Sequence, residues 1–319
     1  MQALTFGELL WDVIEGKEYI GGAPFNLASH LAQMGADSAY VSTVGEDERG
    51  RKAREIAAEH GVEIDYIGID AELETGIVLV ELDEKGSPTY DIREDSAWDR
   101  ISLNDEQLDR LRRRKWDVFS FGTLAQRTEE NRRMLRRIVE AAAPEELFYD
   151  VNLRLDYYGK DVITESLQLA TILKLNDEEV PEVSRLLYGE KVLDRAFCER
   201  MEKDFGIHTT CITRGKQGAS ICWRGEYFHV PVVPIQVADT VGAGDSFSAA
   251  FLYGYFTTGD VRKAGNLASL VSSYVASKKG AIPAYDEPVR KAIQRVTREA
   301  SEREGSEKES NEQDDYVSS

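Results

Sequence analysis

The chain has 319 residues, of which 42% are hydrophobic and 30% charged, so it can bury a sizeable core. Its 58 acidic and 39 basic residues give a formal net charge of −19, which argues against a surface that binds nucleic-acid phosphates. The sequence has no apolar run of bilayer-spanning length and opens without the features of a secretory signal, so we expect a cytoplasmic protein with no membrane partner.

In chain order, β-rich runs alternate with segments of helical periodicity. A strand in ALTFGELL precedes a segment whose apolar residues Phe25, Leu27, Leu31 and Met34 are spaced for one helix face and which Gly35 closes. Further strands are expected in SAYVSTVG, WDVFSFGTL, ELFYDVNL, ATILKLN and TTCITRG, with helices between most of them. This alternation predicts an α/β fold with a central, mostly parallel sheet that helices cover on both faces.

One region departs from the alternation. Two strand-like runs in TGIVLVELDEKGSPTYDIREDSAWD are joined by the turn signal DEKGSP, which predicts a hairpin. Together with residues 11–20 this hairpin is expected to form a small accessory sheet. We therefore divide the chain into an α/β core (1–10, 21–70 and 99–298), a β lid (11–20 and 71–98) and an acidic, disordered tail (299–319).

The sharpest local signal is DTVGAGDSFSAAFLYG, residues 239–254. Gly242, Ala243 and Gly244 are small and precede an apolar helix that we expect to open at Gly244, so backbone N–H groups and the positive helix end can bind an anion there. Asp245 lies in the first turn, where a carboxylate suits the acceptance of a proton from an incoming hydroxyl. Taken alone, these residues equally allow a glycine turn beside a helix-capping aspartate.

Two other nucleotide motifs are excluded by their residues. Gly215-Lys216 is followed by Gln217 instead of Ser or Thr, so the P-loop pattern is absent. Phe247 stands where the dinucleotide motif needs its third glycine, which argues against a nicotinamide-dependent enzyme.

The string DTVGAGDSF closely resembles the C-terminal signature of the ribokinase-like (PfkB) carbohydrate kinases. The family's other signature resembles GGAPFNLASHLAQMG followed by VGEDERG, and the resemblance covers about residues 3–284. It implies a ribokinase-like three-layer sandwich with a small β-sheet lid, and an ATP-dependent, Mg²⁺-assisted kinase that phosphorylates a hydroxymethyl group. Asp245 is then the catalytic base, and Gly242, Ala243 and Gly244 form the anion hole for the transferred phosphoryl group.

The resemblance also implies the sugar-binding residues. Asp12 in FGELLWD, and Gly22 and Asn26 in GGAPFN, match positions that contact the sugar. Arg154 in DVNLR offers bidentate hydrogen bonds to sugar or phosphoryl oxygens. Without the family, Asn26 would be a helix-cap residue and Arg154 a residue that caps a strand end or forms a salt bridge.

On the nucleotide side, Asn176 and Glu179 in LKLNDEEV resemble the family's NxxE motif, whose glutamate helps to place Mg²⁺, usually through water. Thr213, Gly215 and Gly218 in ITRGKQG resemble the nucleotide-binding loop. Without the family, NDEE is an ordinary helix start with acids near the positive dipole end, and ITRGKQG a hairpin turn.

Three further positions follow from the family pattern. Asp239 and Gly280 match the places where many members hold a potassium ion. Ser269 stands where relatives commonly carry Asn, which affects the contact with adenine. Because thin lid sheets of this family pair with each other, we expect a homodimer through the lid.

The phosphoryl acceptor is the part of the function that the sequence determines least. FGELLWD, IGGAPFNLA and YDVNLRLDYYG favour the fructokinase branch, with fructose as the substrate. Kinases of 2-keto-3-deoxygluconate carry a similar D-x-N-x-R string, and there the arginine suits a carboxylate. A catalytically silent kinase fold that serves as a binding protein is the non-enzyme alternative, and the intact Gly242, Gly244 and Asp245 argue against it.

Overall fold

The computed structural model describes residues 1–82 and 88–299, with the side chains of 80–82 and 88–90 excepted. Its strands are β1 (Gln2–Phe6), β2 (Leu10–Ile14), β3 (Lys17–Gly21), β4 (Asp37–Gly45), β5 (Ile67–Asp70), β6 (Gly76–Leu82), β7 (Pro88–Ile92), β8 (Val118–Gly122), β9 (Glu146–Asp150), β10 (Ile172–Asn176), β11 (Thr209–Thr213), β12 (Ala219–Trp223) and β13 (Glu226–Val230).

The α-helices are α1 (Ala23–Met34), α2 (Glu48–Glu59), α3 (Asp105–Arg113), α4 (Glu129–Ala142), α5 (Lys160–Leu169), α6 (Glu179–Tyr188), α7 (Asp194–Phe205), α8 (Ala243–Thr258) and α9 (Val261–Ala276). Residues 287–299 are also helical. None of the helices that the structure describes is both long and apolar enough to cross a membrane.

The larger sheet has the strand order β13-β12-β11-β10-β9-β8-β1-β4-β5. All neighbouring pairs from β11 to β5 are parallel. The two strands at the other edge, β12 and β13, are antiparallel. The sheet is therefore mostly parallel, as predicted, and most of its connections are helical crossovers.

Helices cover this sheet on both faces because successive strand residues point to opposite sides. In β8, Phe119 packs in a cluster with residues of α3 to α7, whereas Val118 packs in a second cluster with α1, α8, α9 and the helical residues 287–299. A third cluster joins Phe25 of α1 and Ala53 of α2. The predicted arrangement of three layers is confirmed.

The small sheet has the order β3-β2-β6-β7. The pairs β2/β3 and β6/β7 are antiparallel and β2/β6 is parallel, so the predicted hairpin and accessory sheet are confirmed. The predicted turn between β6 and β7 falls on residues 83–87, outside the described residues. Trp11 and Ile77 of this sheet pack with Phe25 of α1, which places the sheet over one end of the core.

Two predicted boundaries differ from the structure. Helix α8 begins at Ala243, one residue earlier than predicted, because Gly242 is its N-cap with a left-handed backbone (φ 75°). The predicted tail begins at Glu299, but that residue is helical and its carboxylate pairs with Lys263 at 2.7 Å and with Arg295 at 2.9 Å. The rest of the predicted tail lies outside the described residues.

Candidate active site

The candidate site lies where the strand order reverses. From β1 the chain goes to β4 and β5 on one side, and then returns to β8, β9 and β10 on the other. In open α/β sheets the crevice outside the carboxyl ends of the strands at such a switch point is the usual ligand site. Glu8 follows β1, Asp150 ends β9 and Asn176 ends β10, so polar side chains gather at this edge.

The glycine loop leads into helix α8 at this edge. Gly242 adopts φ 75°, and a side chain there would come within 2.6 Å of the Ala281 carbonyl oxygen. Position 242 therefore requires glycine for two reasons, its left-handed backbone and its close contact with the loop of residues 280–285, which we call the 280s loop. The loop leads into the positive dipole end of α8, where the anion hole is predicted, and the N–H of Ala243 donates there to the Thr240 carbonyl at 3.2 Å.

Asp245 lies in the first turn of α8, partly exposed beside this loop. Its Oδ2 accepts a hydrogen bond of 2.8 Å from Nδ2 of Asn26, a residue of helix α1. Burial raises the pKa of Asp245 to about 6, against the opposing hydrogen bond from Asn26, while Asp150 raises this pKa and Lys174 lowers it. A carboxylate of this kind is ionised near neutral pH and is still basic enough to take a proton.

Asn26 has a second polar atom in the site. Its Oδ1 is buried and finds no hydrogen-bond donor among the described residues. Since buried polar atoms are normally paired, this oxygen is suited to accept a hydrogen bond from a ligand hydroxyl. Gly22 is the N-cap of α1, so Asn26 is not a helix cap, and its side chain contacts the predicted base, while its contact with a sugar stays a prediction.

Asp12 and Gly22 lie on the lid side of the cleft. Asp12 is in β2, and a side chain on its neighbour Gly21 would come within 2.3 Å of the Asp12 carboxylate. Gly22 has φ 111°, and a side chain there would come within 2.2 Å of the Glu8 carbonyl oxygen. Burial raises the pKa of Asp12 to about 6, with Arg154 lowering it and Asp245 raising it.

Arg154 is exposed just beyond β9, and its Nη1 donates to the carbonyl of Leu153 at 3.0 Å. Its positive charge lowers the pKa values of Asp12, Asp245 and Glu8, so the guanidinium lies near enough to act on all three carboxyls. The structure therefore brings all four predicted sugar-binding residues to the same cleft as Asp245.

Glu8 is a member of the site that the sequence analysis did not single out. It is only 4% exposed and lines a cavity of about 20 Å³ with Gly122, Thr123 and Asp150, room for about one water molecule. Burial raises the pKa of Glu8 to about 7, although the positive charges of Arg154 and Arg127 lower it. In the sequence, the only indication was a carboxyl close to the apolar residues Phe6 and Leu9, just after a strand expected to be buried.

A larger pocket of about 410 Å³ adjoins the glycine loop. Ala243 and Gly244 line it, and so do the predicted nucleotide residues Thr213, Gly215 and Gly218 of the β11–β12 loop. The apolar segment 232–237 and serines of α9 form its remaining wall. Its size suits a cofactor-sized ligand. Because β11 and β12 form an antiparallel hairpin, the turn interpretation of ITRGKQG is confirmed, and nucleotide binding by this loop stays a prediction.

Ser269 lines this pocket, and its hydroxyl donates to the carbonyl of Pro231 at 2.6 Å. Ser273, one turn further along α9, is 4% exposed and its hydroxyl has no hydrogen-bond partner in the described part of the chain. Small hydroxyls at 269 and 273 thus form part of the pocket wall.

Asn176 and Glu179 meet at the start of α6. Asn176 Oδ1 accepts hydrogen bonds of 2.9 Å from the N–H groups of Glu178 and Glu179, as a helix cap does. The two oxygens of Glu179 accept N–H bonds of 2.8 Å from Leu153 and Asn176. Since each carboxylate oxygen retains a lone pair, Glu179 still suits a water-bridged Mg²⁺, although no metal-binding cluster of three or more His, Cys, Asp or Glu side chains occurs among the described residues.

Asp239 and Gly280 are adjacent. The carboxylate of Asp239 accepts hydrogen bonds from the Gly280 N–H at 3.2 Å and from the Val241 N–H at 3.0 Å. His30, buried in α1, supports the same loop through a contact of 2.9 Å to the Ala281 carbonyl and one of 2.6 Å to the Tyr285 hydroxyl.

An ion pair that the sequence analysis missed lies below the glycine loop. Lys174 of β10 and Asp150 of β9 are register partners on neighbouring strands, and Lys174 Nζ is 3.0 and 3.1 Å from the two Asp150 oxygens. Burial opposes the charged lysine, yet Asp150, Glu179 and Asp245 together raise its pKa. The signal was a lysine between Leu173 and Leu175 in a strand covered on both faces, where a charge needs a partner.

These features define a class of protein. A nucleotide-sized pocket, a glycine loop at a helix N-terminus and a hydrogen-bonded carboxylate meet at the switch point of an α/β sheet, and a separate small sheet lies above them. This is the arrangement expected of a phosphotransferase with a lid.

Comparison with known proteins gives the family. The model of the pfkB family carbohydrate kinases matches residues 2–288, and the chain belongs to this family. A sugar kinase of Pyrococcus horikoshii is 32% identical over 297 residues, which are 87% of this chain and 90% of that protein. Its solved structure in complex with ATP superposes with a TM-score of 0.78 at 28% identity, covering 92% and 99% of the two chains, and confirms the predicted ribokinase-like fold.

Two other relatives are named for different acceptors. A fructokinase of Escherichia coli is 28% identical over 287 residues, 86% of this chain and 90% of that protein. The aminoimidazole riboside kinase of Salmonella typhimurium is also 28% identical, over 73% of this chain and 72% of that protein. Equal identity to both means that the acceptor has to be argued from the site.

Proposed function

We propose that the protein transfers the γ-phosphoryl group of ATP to a primary hydroxyl of a neutral sugar, with fructose as the substrate and fructose 6-phosphate as the product. The observation that carries this proposal is the placement of Asp245. Its carboxylate stands at the N-terminus of α8, beside the glycine loop, and is held by Asn26 from the sugar side.

In the proposed reaction, the sugar hydroxyl lies between Asp245 and the γ-phosphorus. The oxygen forms a bond to phosphorus while the bond from phosphorus to the β–γ bridging oxygen breaks and ADP leaves, and Asp245 takes the hydroxyl proton. The backbone N–H groups of Gly242 and Gly244 stabilise the charge on the transferred group, and that of Ala243, which donates to the Thr240 carbonyl at 3.2 Å, joins them once it leaves this partner. Mg²⁺, when bound, neutralises phosphate charge, and Glu179 would hold it through water.

The remaining site residues have assigned places in this proposal. Asp12, Gly22, Asn26 and Arg154 bind the sugar, whereas Asn176, Thr213, Gly215 and Gly218 lie on the nucleotide side. Asn176 contributes by fixing the α6 terminus through its two N–H contacts. Asp239 and the 280s loop around Gly280 form the proposed potassium site, which predicts a higher turnover in potassium than in a bulky organic cation.

The electrostatics favour a neutral acceptor over the keto acid. Burial raises the pKa values of three carboxyls near the cleft, those of Glu8, Asp12 and Asp245. The guanidinium of Arg154 lowers each of these three pKa values. A sugar acid would add another negative charge to this cleft, whereas a neutral sugar offers hydroxyls that carboxyls bind well. The E. coli relative named a fructokinase supports the same choice.

The test is a coupled assay of ADP release with Asp245→Asn. We expect turnover to fall by at least about a hundredfold, because the amide cannot accept the proton, and thermal stability to stay close to that of the wild type. Turnover above a few per cent of the wild-type value would reject Asp245 as the base.

The same assay with different acceptors tests the substrate. Fructose, ribose, aminoimidazole riboside and 2-keto-3-deoxygluconate are compared at equal concentrations with saturating ATP. We expect the highest kcat/KM with fructose. Turnover of the keto acid without turnover of fructose would reject the neutral sugar as the substrate, but it would still support the proposed kinase activity.

A further inference from the structure

Lys174 is buried directly below the glycine loop. Its side chain is 7% exposed, and a Cβ added to Gly244 would lie 3.3 Å from its Nζ. The ammonium group is therefore in van der Waals reach of the residue that leads into the proposed anion hole. Asp150 holds it from the other side with both oxygens.

Asp150 is itself fixed in place. The Ser248 hydroxyl of α8 donates to its Oδ2 at 3.1 Å. The ammonium is thus anchored between two neighbouring strands of the sheet and the first turns of α8. An ion pair on rigid elements positions a charge more accurately than one on a loop.

Pairing with Asp150 does not by itself explain a lysine at this place. A buried ion pair contributes little net stability in comparison with well-packed apolar side chains. The ammonium instead lies beside the start of α8, where the proposed function places the γ-phosphoryl group, and the carboxylates of Asp150, Glu179 and Asp245 are near enough to raise its pKa. The arrangement keeps a full positive charge below the anion hole.

Gly244 places no side chain against this buried ammonium. Its backbone does not adopt a positive φ, so glycine is not required there by conformation. The only atom that an added Cβ would approach within 4 Å, apart from its own helix and chain neighbours, is Lys174 Nζ. The absence of a side chain at 244 therefore lets the ammonium lie next to the backbone that opens α8.

We propose that Lys174 is a further catalytic residue, whose ammonium binds an oxygen of the transferred phosphoryl group beside Gly244. This inference rests on the proposed ATP-dependent kinase function. The lysine stays protonated throughout and exchanges no proton with the substrate. Its charge stabilises the γ-phosphoryl oxygens in addition to the backbone N–H groups.

The test compares ligands that differ only in the γ-phosphoryl group. Calorimetry with Mg²⁺ measures the affinity of Lys174→Met for an imido analogue of ATP and for ADP. We expect the affinity for the analogue to fall at least tenfold and the affinity for ADP to change less than twofold. An equal loss for both ligands, or no loss for the analogue, overturns the proposal, because a purely structural lysine would not distinguish them.

A second pair of variants keeps the test valid if Lys174→Met does not fold because Asp150 loses its partner. Asp150→Asn removes the counter-charge but leaves the ammonium near the carboxylates of Glu179 and Asp245, whereas Asp150→Asn/Lys174→Met retains neither charge of the pair, and these two proteins are compared. The same selective loss of the analogue is expected on removing the lysine. Equal affinity of these two proteins for the analogue contradicts the proposal.

Gly244→Ala tests the close approach of the ammonium separately. The methyl group would lie 3.3 Å from Nζ, so the ammonium must shift slightly, and we expect a larger loss of affinity for the analogue than for ADP, with the unfolding temperature measured to check that the variant is folded. Unchanged binding of the analogue contradicts the proposal. These outcomes are distinct from failure of the proposed function, which would appear as full turnover of Asp245→Asn.

Discussion

At the scale of single residues, Asp245 has the environment of a general base. Burial raises its pKa to about 6, and the hydrogen bond from Asn26 Nδ2 keeps that value from rising further. The group is thus unprotonated at neutral pH but close to the pKa at which proton acceptance is most effective.

This environment predicts the pH dependence of the reaction. Because the base must be unprotonated, kcat/KM for the sugar at saturating MgATP should fall as the pH falls through about 6 and be level above it. Asn26→Ala removes the hydrogen bond that favours the carboxylate, so the midpoint should move to higher pH. Steady-state rates between pH 5 and 8 measure both midpoints, and a profile without an acidic limb would contradict the assignment.

Glu8 makes a prediction about stability. Its pKa is raised from 4.5 to about 7 by burial, so the folded protein binds this proton more tightly than the unfolded chain does. Stability from this group is present below pH 4.5 and is lost as the pH rises towards 7. Glu8→Gln mimics the protonated form and should raise the free energy of unfolding by about 3 kcal/mol at pH 8, and by little at pH 4.

Denaturant unfolding at the two pH values measures this difference. Glu59→Gln, an exposed position on α2, is the matched control and should change stability by less than about 0.5 kcal/mol at either pH. An equal effect of the Glu8 and Glu59 variants at pH 8 would show that ionised Glu8 is not destabilising.

At the scale of secondary-structure elements, helix α8 has a left-handed glycine at each end. Gly242 is its N-cap with φ 75°, and Gly259 is its C-cap with φ 66°. A side chain at 242 would meet the backbone of Ala281 at 2.6 Å, whereas one at 259 would meet nothing within 4 Å. Substitution at 259 therefore introduces backbone strain alone, whereas substitution at 242 introduces backbone strain and a steric clash.

Alanine substitution at both ends tests this difference. Gly259→Ala should cost about 1 kcal/mol, the strain of a left-handed non-glycine residue. Gly242→Ala should cost more and weaken ATP binding at least about tenfold, because the 280s loop must move away from the anion hole. Unfolding free energies and calorimetric affinities are compared, and equal effects at the two ends would reject a tight packing role for Gly242.

At the scale of the whole molecule, the small sheet lies over one end of the core and carries Asp12 into the cleft. Tyr19, the register partner of Asp12 on β3, is 50% exposed. A large aromatic group left open on a thin sheet is typical of a surface that binds another protein. We propose that this sheet pairs with that of a second copy, and that it closes over the sugar to exclude water.

Light scattering after size-exclusion chromatography tests the proposed homodimer. The wild-type protein should have the mass of two chains at micromolar concentration, and Tyr19→Asp should shift it towards one chain by placing a charge in the interface. Leu193→Asp is the matched control, because Leu193 is 84% exposed and lies outside the small sheet, before α7. A monomeric wild-type protein would reject the lid dimer.

The sequence by itself determined the local parts of this protein. Periods of two and of 3.6 residues, with glycines at helix ends, predicted the alternating strands and helices, the hairpin and the glycine loop before α8. These features depend on neighbours within a few residues, where backbone preferences act directly. Resemblance to the family then indicated which of the ordinary-looking residues, such as Asp12 and Asn26, belong to one site.

Only the tertiary structure decided which distant groups meet. Asn26 and Asp245 are 219 positions apart, yet they share a hydrogen bond because α1 and α8 pack side by side. The contact of Gly242 with Ala281, the pairing of Lys174 with Asp150 and the burial of Glu8 likewise depend on strand order and helix packing. Local patterns cannot specify such contacts, since burial and charge pairing arise only when the sheet and its layers assemble.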